Sequence, residues 1–367
     1  MNKSVYEMSP SEWLQYQRKQ QGYNEKLIPI KAVQKELQDR FGKLPADLQR
    51  VLSQYSTFTR ADVDDEQIAV QLRTLRRIIK QEEWIRIKDV FIGVFPTYEV
   101  DGFAGRTPRG DKIVMLHAGL FVSLSLLADL FVCERDSYNE GENFLESNLE
   151  AVLQHLACVS KLWVENQTLQ AMYSVPMAPT TAESMKHSGA IGIAAATFFL
   201  GHELGHIIDA HRNYDWRMQE LNHKMEYDAD HWGLRFCIRY ILFNLPALYS
   251  KEIIYSRLSL LGPFLALGLI AAISNERSLT HPSASDRFER IKNIIKDVIR
   301  DEFNAFSADG DKMYKAYKKS MGEDFEGLTL SLGEKIFKKH ISYGNLIRAL
   351  NKGIKQAHKE ALGLIAR

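Results

Sequence analysis

The sequence predicts a mainly α-helical protein with one small β-sheet, an α+β fold. Two β-favouring runs, VFIGVF from residue 90 and KIVML from residue 112, lie on either side of a glycine-rich loop at residues 101–110. An uncharged run at residues 189–200, GAIGIAAATFFL, has the composition of a buried helix. Most of the remaining chain has apolar residues at helical spacing. Strands are therefore expected near residues 90–116, as a hairpin or short sheet.

The chain is expected to form three regions. Residues 1–88 are polar and helical in pattern, and they form an N-terminal helical region. Residues 89–295 contain the β-favouring runs and the apolar helix, and they form the core. Residues 296–367 form a C-terminal helical region, in which glycines interrupt an amphipathic pattern.

Composition is that of an ordinary globular protein, with 45% hydrophobic and 25% charged residues. The net charge of +1 gives no overall attraction to nucleic acid, so we expect no nucleic-acid partner, and the basic stretch at residues 73–88 is interpreted as a solvated helix face. The three cysteines lie in no CxxC spacing and indicate no disulfide framework. The first residues lack the apolar run of a secretory signal, and a cytoplasmic location is expected.

Membrane association is the alternative location, because two apolar segments approach the length of a membrane span. Residues 258–275 are uncharged but contain Pro263 and several polar residues, and residues 113–128 are shorter still. A spanning helix needs about 20 predominantly apolar residues. We therefore interpret the first segment as a core helix and the second as a strand that leads into a helix.

The end of the apolar helix carries a metal-hydrolase motif. His202 and His206 frame Glu203 in the pattern HExxH, and residues four apart lie on one face of a helix. Both imidazoles could therefore reach one Zn²⁺, with Glu203 beside it as the base that activates a water molecule. The alternative is a pair of hydrogen-bonded core histidines, but burying these groups without a partner is costly, and a metal supplies one.

A third ligand is available downstream. Glu226 and Asp230 are again four residues apart within a helical pattern. Glu226 could bind the metal, and Asp230 could accept a hydrogen bond from a ligand histidine and so fix its tautomer. The alternative is a solvated acidic helix face.

The chain resembles the HtpX-like and CAAX-prenyl-protease-like gluzincin metallopeptidases over roughly residues 99–292. Four blocks in the family's order carry the resemblance: Phe103-Ala104 with residues 113–116 and Gly119-Leu120; HELGHIIDAH at 202–211; Glu226 to Asp230 with Gly233; and Thr280-His281-Pro282 with Arg287 and Ile291. The resemblance implies a gluzincin core with an active-site HExxH helix. Residues 89–295 would then be a zinc metallopeptidase core.

The resemblance also implies the metal ligands. His202, His206 and Glu226 would bind one zinc ion per chain, and Glu203 would be the general base. Three protein ligands leave a fourth position open, whereas a closed structural site usually has four, often including cysteines. The implied zinc is therefore catalytic.

Residues around the ligands would support the reaction. His281 would lie near the open zinc position and stabilise the tetrahedral intermediate, although it could equally be a loop residue before a helix. Asp230 and Arg287 would support the ligands from behind. At one site the chain departs from the family, which usually has an Asn-Ala pair where this sequence has Asp101-Gly102.

The predicted function is that of a zinc-dependent endopeptidase acting on a protein or peptide, with an extended substrate added as a strand to a sheet edge. The alternative for these strands is an ordinary three-stranded sheet that closes the core. One alternative is a dedicated protease acting on a single host protein, like the phage-exclusion Lit-type peptidases, which also carry HExxH. Another is a non-catalytic regulatory module stabilised by zinc. The presence of Glu203 argues against that module, because a structural zinc site needs no base.

Overall fold

A computed structural model describes residues 4–20, 27–29, 57–96, most of 101–128, 132, 182–211, 217–248, 259–273, 278–306 and a few positions from 314 to 338. Within these ranges the chain is mainly helical with little β-structure, as predicted. The helices are α1 Pro10–Gln20, α2 Arg60–Ile78, α3 Gln81–Ile87, α4 Ala182–Ile208, α5 Gln219–Leu248, α6 Gly262–Ile273 and α7 Ala284–Phe306. The strands are β1 Leu27–Pro29, β2 Thr57–Thr59, β3 Phe91–Phe95, β4 Gly102–Arg106 and β5 Lys112–His117.

Strands β3, β4 and β5 form one mixed sheet with β5 in the middle. β3 is parallel to β5, β4 is antiparallel to it, and β1 pairs separately with β2. The expected glycine-rich loop at 101–110 is therefore wrong in part, because residues 102–106 form an edge strand. Glycines 102 and 105 lower the strand propensity of this segment, and pairing with β5 overrides that preference. After β5 the chain passes directly into helical residues, as predicted for residues 113–128.

Helix α4 lies at the centre of the described core. It packs against the sheet and against α3, α5 and α6. Its contact with α5 is close enough to exclude side chains: a Cβ on Gly201 would lie 2.9 Å from the Cα of Gly233, and a Cβ on Gly233 would lie 2.6 Å from the backbone oxygen of Phe198. The two glycines thus allow the backbones of α4 and α5 to touch.

Helix α6 packs on the other part of α4. A Cβ on Gly262 would lie 2.6 Å from the Cβ of Ala194, and Phe264, Leu265 and Leu267 are fully buried. The prediction that residues 258–275 contain a core helix is confirmed. In the described part of the chain, one helix, His187–Ile208, is long and apolar enough to cross a membrane, and 78% of its apolar window is buried inside the protein.

Two buried arginines form ion pairs that join helices to one another. Arg239 on α5 donates to Glu83 on α3 at 2.6 Å and to Glu302 on α7 at 2.6 Å. Arg18 on α1 donates to both carboxylate oxygens of Asp65 on α2. These contacts join described parts of the N-terminal helices to the core. The division at residues 88 and 295 stays a prediction, and most of residues 307–367 lie outside the described ranges.

Candidate metal centre and active site

Three side chains from α4 and α5 converge on one point. His202 Nε2 lies 3.3 Å from His206 Nε2, and Glu226 places Oε2 3.6 Å from the first and Oε1 3.4 Å from the second. Two atoms that each lie about 2.0–2.1 Å from a tetrahedral zinc ion are about 3.3–3.4 Å apart. The three residues could therefore hold a metal ion, and their ligand atoms lie within 4.8 Å of one another.

The helices bring these ligands together by their own geometry. The spacing of four residues places both imidazoles on the face of α4 that meets α5. Gly205, between them in sequence, allows close contact, because a Cβ there would lie 2.8 Å from the Cβ of Trp232 on α5. Glu226 is almost completely buried, with 1% exposure, so it does not lie on the solvated acidic face of the alternative interpretation.

Asp230 and Arg287 lie directly behind the ligands. His202 Nδ1 donates to Asp230 Oδ1 at 3.0 Å, and this bond leaves Nε2 directed at the other ligands. Arg287, on α7, donates to both oxygens of Asp230 at 2.6 and 2.8 Å. Its Nη1 also lies 3.8 Å from Glu226 Oε2. The structure therefore brings these predicted residues to the same place from three helices.

Burial and charge pairing shift the ionisation of these groups. Burial would raise the pKa of Glu226, but its bond with His206 and the charges of His202 and Arg287 outweigh it and lower the pKa well below the usual range. The pKa of Asp230 is also lowered, because Arg287 and His202 outweigh the effect of burial. Glu226 is therefore ionised, as a carboxylate metal ligand must be.

Glu203 lies on the side of the centre that faces β4. A Cβ on Gly102 would lie 3.3 Å from both Cγ and Oε1 of Glu203, so this carboxyl group contacts the backbone of the edge strand. Burial raises the pKa of Glu203, and the positive charges of His202 and His206 only partly oppose it. A carboxyl group with a raised pKa is suited to accept and return a proton near neutral pH.

His281 approaches the centre from the loop before α7. Its Nε2 lies 3.7 Å from Glu226 Oε1, while its side chain remains 50% exposed. The hydroxyl of Thr280 lies 2.7 Å from its Nδ1, and its backbone N–H donates to Ser278 Oγ at 2.8 Å. The ring is thus held with Nε2 toward the ligands and with one side open to solvent.

Helix α5 also anchors this loop, through residues that the sequence analysis missed. Gln219 and His223 each bond to the backbone oxygen of Ser278, at 3.2 and 2.8 Å, and Asn222 donates to that of Leu279 at 3.1 Å. In the sequence, these residues appear only as polar side chains three and four residues apart in the first turns of α5. It does not identify a partner 55 or more residues away.

His211 is a second residue for which sequence reasoning assigned no role. Its Nδ1 lies 2.9 Å from Nδ1 of His206, on the side of the ring opposite the metal site. Of the cysteines, Cys237 is buried on α5 and Cys133 and Cys158 lie outside the described residues. The predicted ligands, base, supporting pair and His281 all lie at this centre.

Comparison with known proteins agrees with a peptidase assignment. The sequence profile of the family Peptidase U49 matches residues 117–305, which span β5's last residue, both ligand helices and α7. No curated protein sequence and no solved structure matches the chain significantly. The profile covers the five residues of α4 and α5 at this centre, His202, Glu203, His206, Glu226 and Asp230, and also His281 and Arg287. The chain belongs to the Peptidase U49 family.

Proposed function

We propose that the chain is a zinc-dependent endopeptidase of the HtpX-like gluzincin type, with His202, His206 and Glu226 as the ligands of one zinc ion. The observation that carries the proposal is a set of three short distances among the ligand groups. The two Nε2 atoms lie 3.3 Å apart, and the two oxygens of the Glu226 carboxylate lie 3.4 Å from Nε2 of His206 and 3.6 Å from Nε2 of His202. They match the edges of a zinc tetrahedron and leave one corner without a protein ligand.

Zinc, when bound, would supply Lewis acidity that polarises the scissile carbonyl and lowers the pKa of water. Glu203 then accepts a proton from the attacking water as the oxygen bonds to the carbonyl carbon. The same carboxyl group returns the proton to the amine nitrogen as the carbon–nitrogen bond breaks. His281 would donate a hydrogen bond from Nε2 to the oxyanion that develops between these steps, a role supported by the 3.7 Å distance of this atom from Glu226 Oε1.

The free edge of β4 supports binding of an extended peptide. His117 N–H donates to Asp101 O and Thr107 N–H donates to Asp111 O, so odd-numbered residues of this hairpin face β5. Gly102 and Ala104 therefore turn their backbone groups to the other edge, which pairs with no strand in the described ranges. The N–H of Gly102 already donates to Asp101 Oδ1 there, so a peptide would pair through the other backbone groups of this edge. A peptide added there would run past Glu203 and be held through its backbone, largely independent of sequence.

The experiment is a proteolysis assay on the zinc-loaded chain, with a denatured cell extract as substrate and new N-termini as the readout. The wild type should cleave, and Glu203→Gln should reduce cleavage to background while it retains zinc, because the amide cannot accept the proton. Glu82→Gln, an exposed glutamate on α3, is the matched control and should cleave normally. Equal cleavage by the wild type and Glu203→Gln would reject the proposal.

The same assay separates general from dedicated proteolysis. Many cleaved proteins would indicate a general endopeptidase. A single protein cleaved at one site would favour the Lit-type alternative, with which the Peptidase U49 match is compatible. The regulatory-module alternative predicts zinc binding without any cleavage. The contact of Glu203 with β4 supports a catalytic role over that alternative, because a structural zinc site needs no base beside the proposed substrate edge.

We also propose that the protein acts in the cytoplasm without insertion in a membrane. The apolar helix that is long enough to span a bilayer is α4, which carries the ligands and packs against three helices and the sheet. Its burial within the protein supports a core role for this helix.

A further inference from the structure

The C-terminus of α4 is folded back so that His211 meets His206. The N–H of His211 donates to the backbone oxygen of His206 at 2.9 Å, and the N–H of Ala210 donates to that of Ile207 at 3.2 Å. This pair of bonds is the Schellman arrangement, in which the first residue after the helix, here Ala210, takes the left-handed conformation. Ala210 has φ of 52°, a value that favours glycine. The helix end therefore has a residue in an unfavourable conformation.

That reversal places the imidazole of His211 beside the ring of His206. The two Nδ1 atoms are 2.9 Å apart, and the rings meet edge to face with centroids 5.0 Å apart. One of two nitrogens at this distance must donate a hydrogen to the other. If His206 Nε2 gives its lone pair to zinc, its Nδ1 carries the hydrogen, and His211 Nδ1 must be the acceptor.

The opposite nitrogen of His211 then carries a hydrogen, and an acid lies on that side. His211 Nε2 is 4.0 Å from Asp209 Oδ2, and the same oxygen accepts a hydrogen bond from Trp232 Nε1 on α5 at 2.8 Å. Each histidine ligand thus has a partner behind it that is itself held by a further side chain. His202 is backed by the carboxylate of Asp230, which Arg287 holds. His206 is backed by the neutral ring of His211, which has Asp209 on its other side.

We infer that His211 is a positioning residue, which accepts the Nδ1 hydrogen of His206 and so directs Nε2 of that ring to the metal. The inference rests on the proposed zinc site. A partner of this kind fixes both the tautomer and the orientation of a ligand histidine, and its loss typically weakens metal binding by about 10- to 100-fold.

The test measures zinc affinity by competition with a chromophoric chelator, using two substitutions that separate the acceptor from the ring. His211→Phe keeps a ring but offers no acceptor, and it should weaken zinc binding about 10- to 100-fold. His211→Asn places an amide oxygen near the position of Nδ1, and its affinity should stay close to that of the wild type. Equal zinc affinity in the phenylalanine and asparagine variants would overturn the inference.

A second measurement uses the wild type and does not require that a variant protein folds. In the zinc-loaded wild type, nitrogen NMR should show a hydrogen on Nδ1 of His206 and a scalar coupling from it across to Nδ1 of His211. Absence of that hydrogen or of the coupling rejects the assignment. A wild type that binds no zinc would instead refute the proposed function, so the two failures are distinguishable.

An independent observation concerns Asp101, at the start of β4. This residue is exposed, and its Oδ1 accepts the N–H of Gly102 at 2.8 Å. Because even-numbered residues of β4 face the free edge, the bond holds the carboxylate on that edge, next to the strand position that contacts Glu203.

We infer that Asp101 selects substrates with a basic side chain close to the scissile bond. The inference rests on the proposed function, since it needs a peptide on the edge of β4. A peptide lying there presents its side chains beside a carboxylate that pairs with no basic side chain in the described part of the chain, and a lysine or arginine would supply such a partner.

The cleavage-site profile of the wild type, read from the cell-extract digest, tests this. Lysine and arginine should be enriched next to the cut, and Asp101→Asn should lower that enrichment about fivefold, the effect of one exposed ion pair. Asp89→Asn, at another exposed aspartate, should leave the profile unchanged. An identical profile in Asp101→Asn, or loss of all cleavage in that variant, would overturn the substrate preference while leaving the peptidase proposal intact.

Discussion

At the residue scale, each of the two proposed histidine ligands has a partner on its far side. Asp230 accepts from His202, and His211 lies against His206. Removing a ligand and removing a partner therefore have different consequences: the first abolishes binding and the second weakens it. Removing a group that touches only the substrate should change turnover alone.

His281 is the clearest case of a group of the last kind. His281→Ala should retain zinc and lower kcat by about 10²–10³, the range for loss of one donor to a developing oxyanion. KM should change little, because this charge appears only in the transition state. Steady-state kinetics with paired metal analysis measures both effects. His231→Ala, an exposed histidine on α5, is the control, and loss of zinc from His281→Ala would instead make His281 a ligand.

Ala210 gives a stability prediction. Ala210→Gly should raise the free energy of unfolding by about 0.5–1 kcal/mol, because relief of the left-handed conformation outweighs the added freedom of glycine in the unfolded chain. Gly110, with φ of 100°, is the matched reverse case, and Gly110→Ala should destabilise. Chemical denaturation of both variants tests this, and a destabilised Ala210→Gly would show that the conformation carries no strain.

At the element scale, the centre depends on the close packing of α4 against α5. The ligand histidines lie on one helix and Glu226 on the other, so any separation of the helices enlarges the site. Glycines at the contact allow the backbones to approach, and a methyl group there would meet backbone atoms that cannot rotate away.

Two alanine substitutions within α4 test the packing. Gly201→Ala would place a Cβ 2.7 Å from Phe236 and 2.9 Å from the backbone of Gly233, and it should destabilise by about 1–3 kcal/mol and weaken zinc binding. Gly189→Ala meets nothing within 4 Å and should stabilise by about 0.5–1 kcal/mol, the helix preference for alanine. Thermal unfolding compares them, and similar effects in both would contradict a packing role for Gly201.

The sequence predicted those parts of the site that lie within single helices. His202 with His206, and Glu226 with Asp230, share a face through a spacing of four residues, which is visible without a structure. The partners of His211 and of the His281 loop depend on a helix reversal and on contacts 55 or more residues apart. Residues 102–106 are interpreted from sequence as part of a loop because their glycines have low strand propensity, and only pairing with β5 specifies strand β4.

At the scale of the whole molecule, α5 organises the described core. It contacts α4 through the glycines, α7 through Asp230 with Arg287, and α3 through Arg239 with Glu83. The predicted mainly helical fold is confirmed. It was predictable because the helices are long segments with a strong hydrophobic pattern, for which periodicity is a reliable signal. Their arrangement around α5 depends on these long-range ion pairs and close contacts.

A solubility measurement tests the proposed location. The protein should stay in the supernatant after high-speed centrifugation without detergent, because the one described helix long and apolar enough to cross a membrane is mostly buried inside the protein. Recovery only in a membrane pellet that resists carbonate extraction would show that α4 or another segment enters the bilayer.

We propose that His202, His206 and Glu226 bind one zinc ion, and that Glu203 is the general base and not a ligand. The most direct test is the zinc content per chain, measured by elemental analysis. The wild type and Glu203→Gln should each carry about one zinc, while His206→Ala and Glu226→Ala should carry almost none after dialysis. A wild type that takes up no zinc from excess would contradict the claim. Equal loss of zinc in Glu203→Gln and Glu226→Ala would contradict the separate roles of the two glutamates.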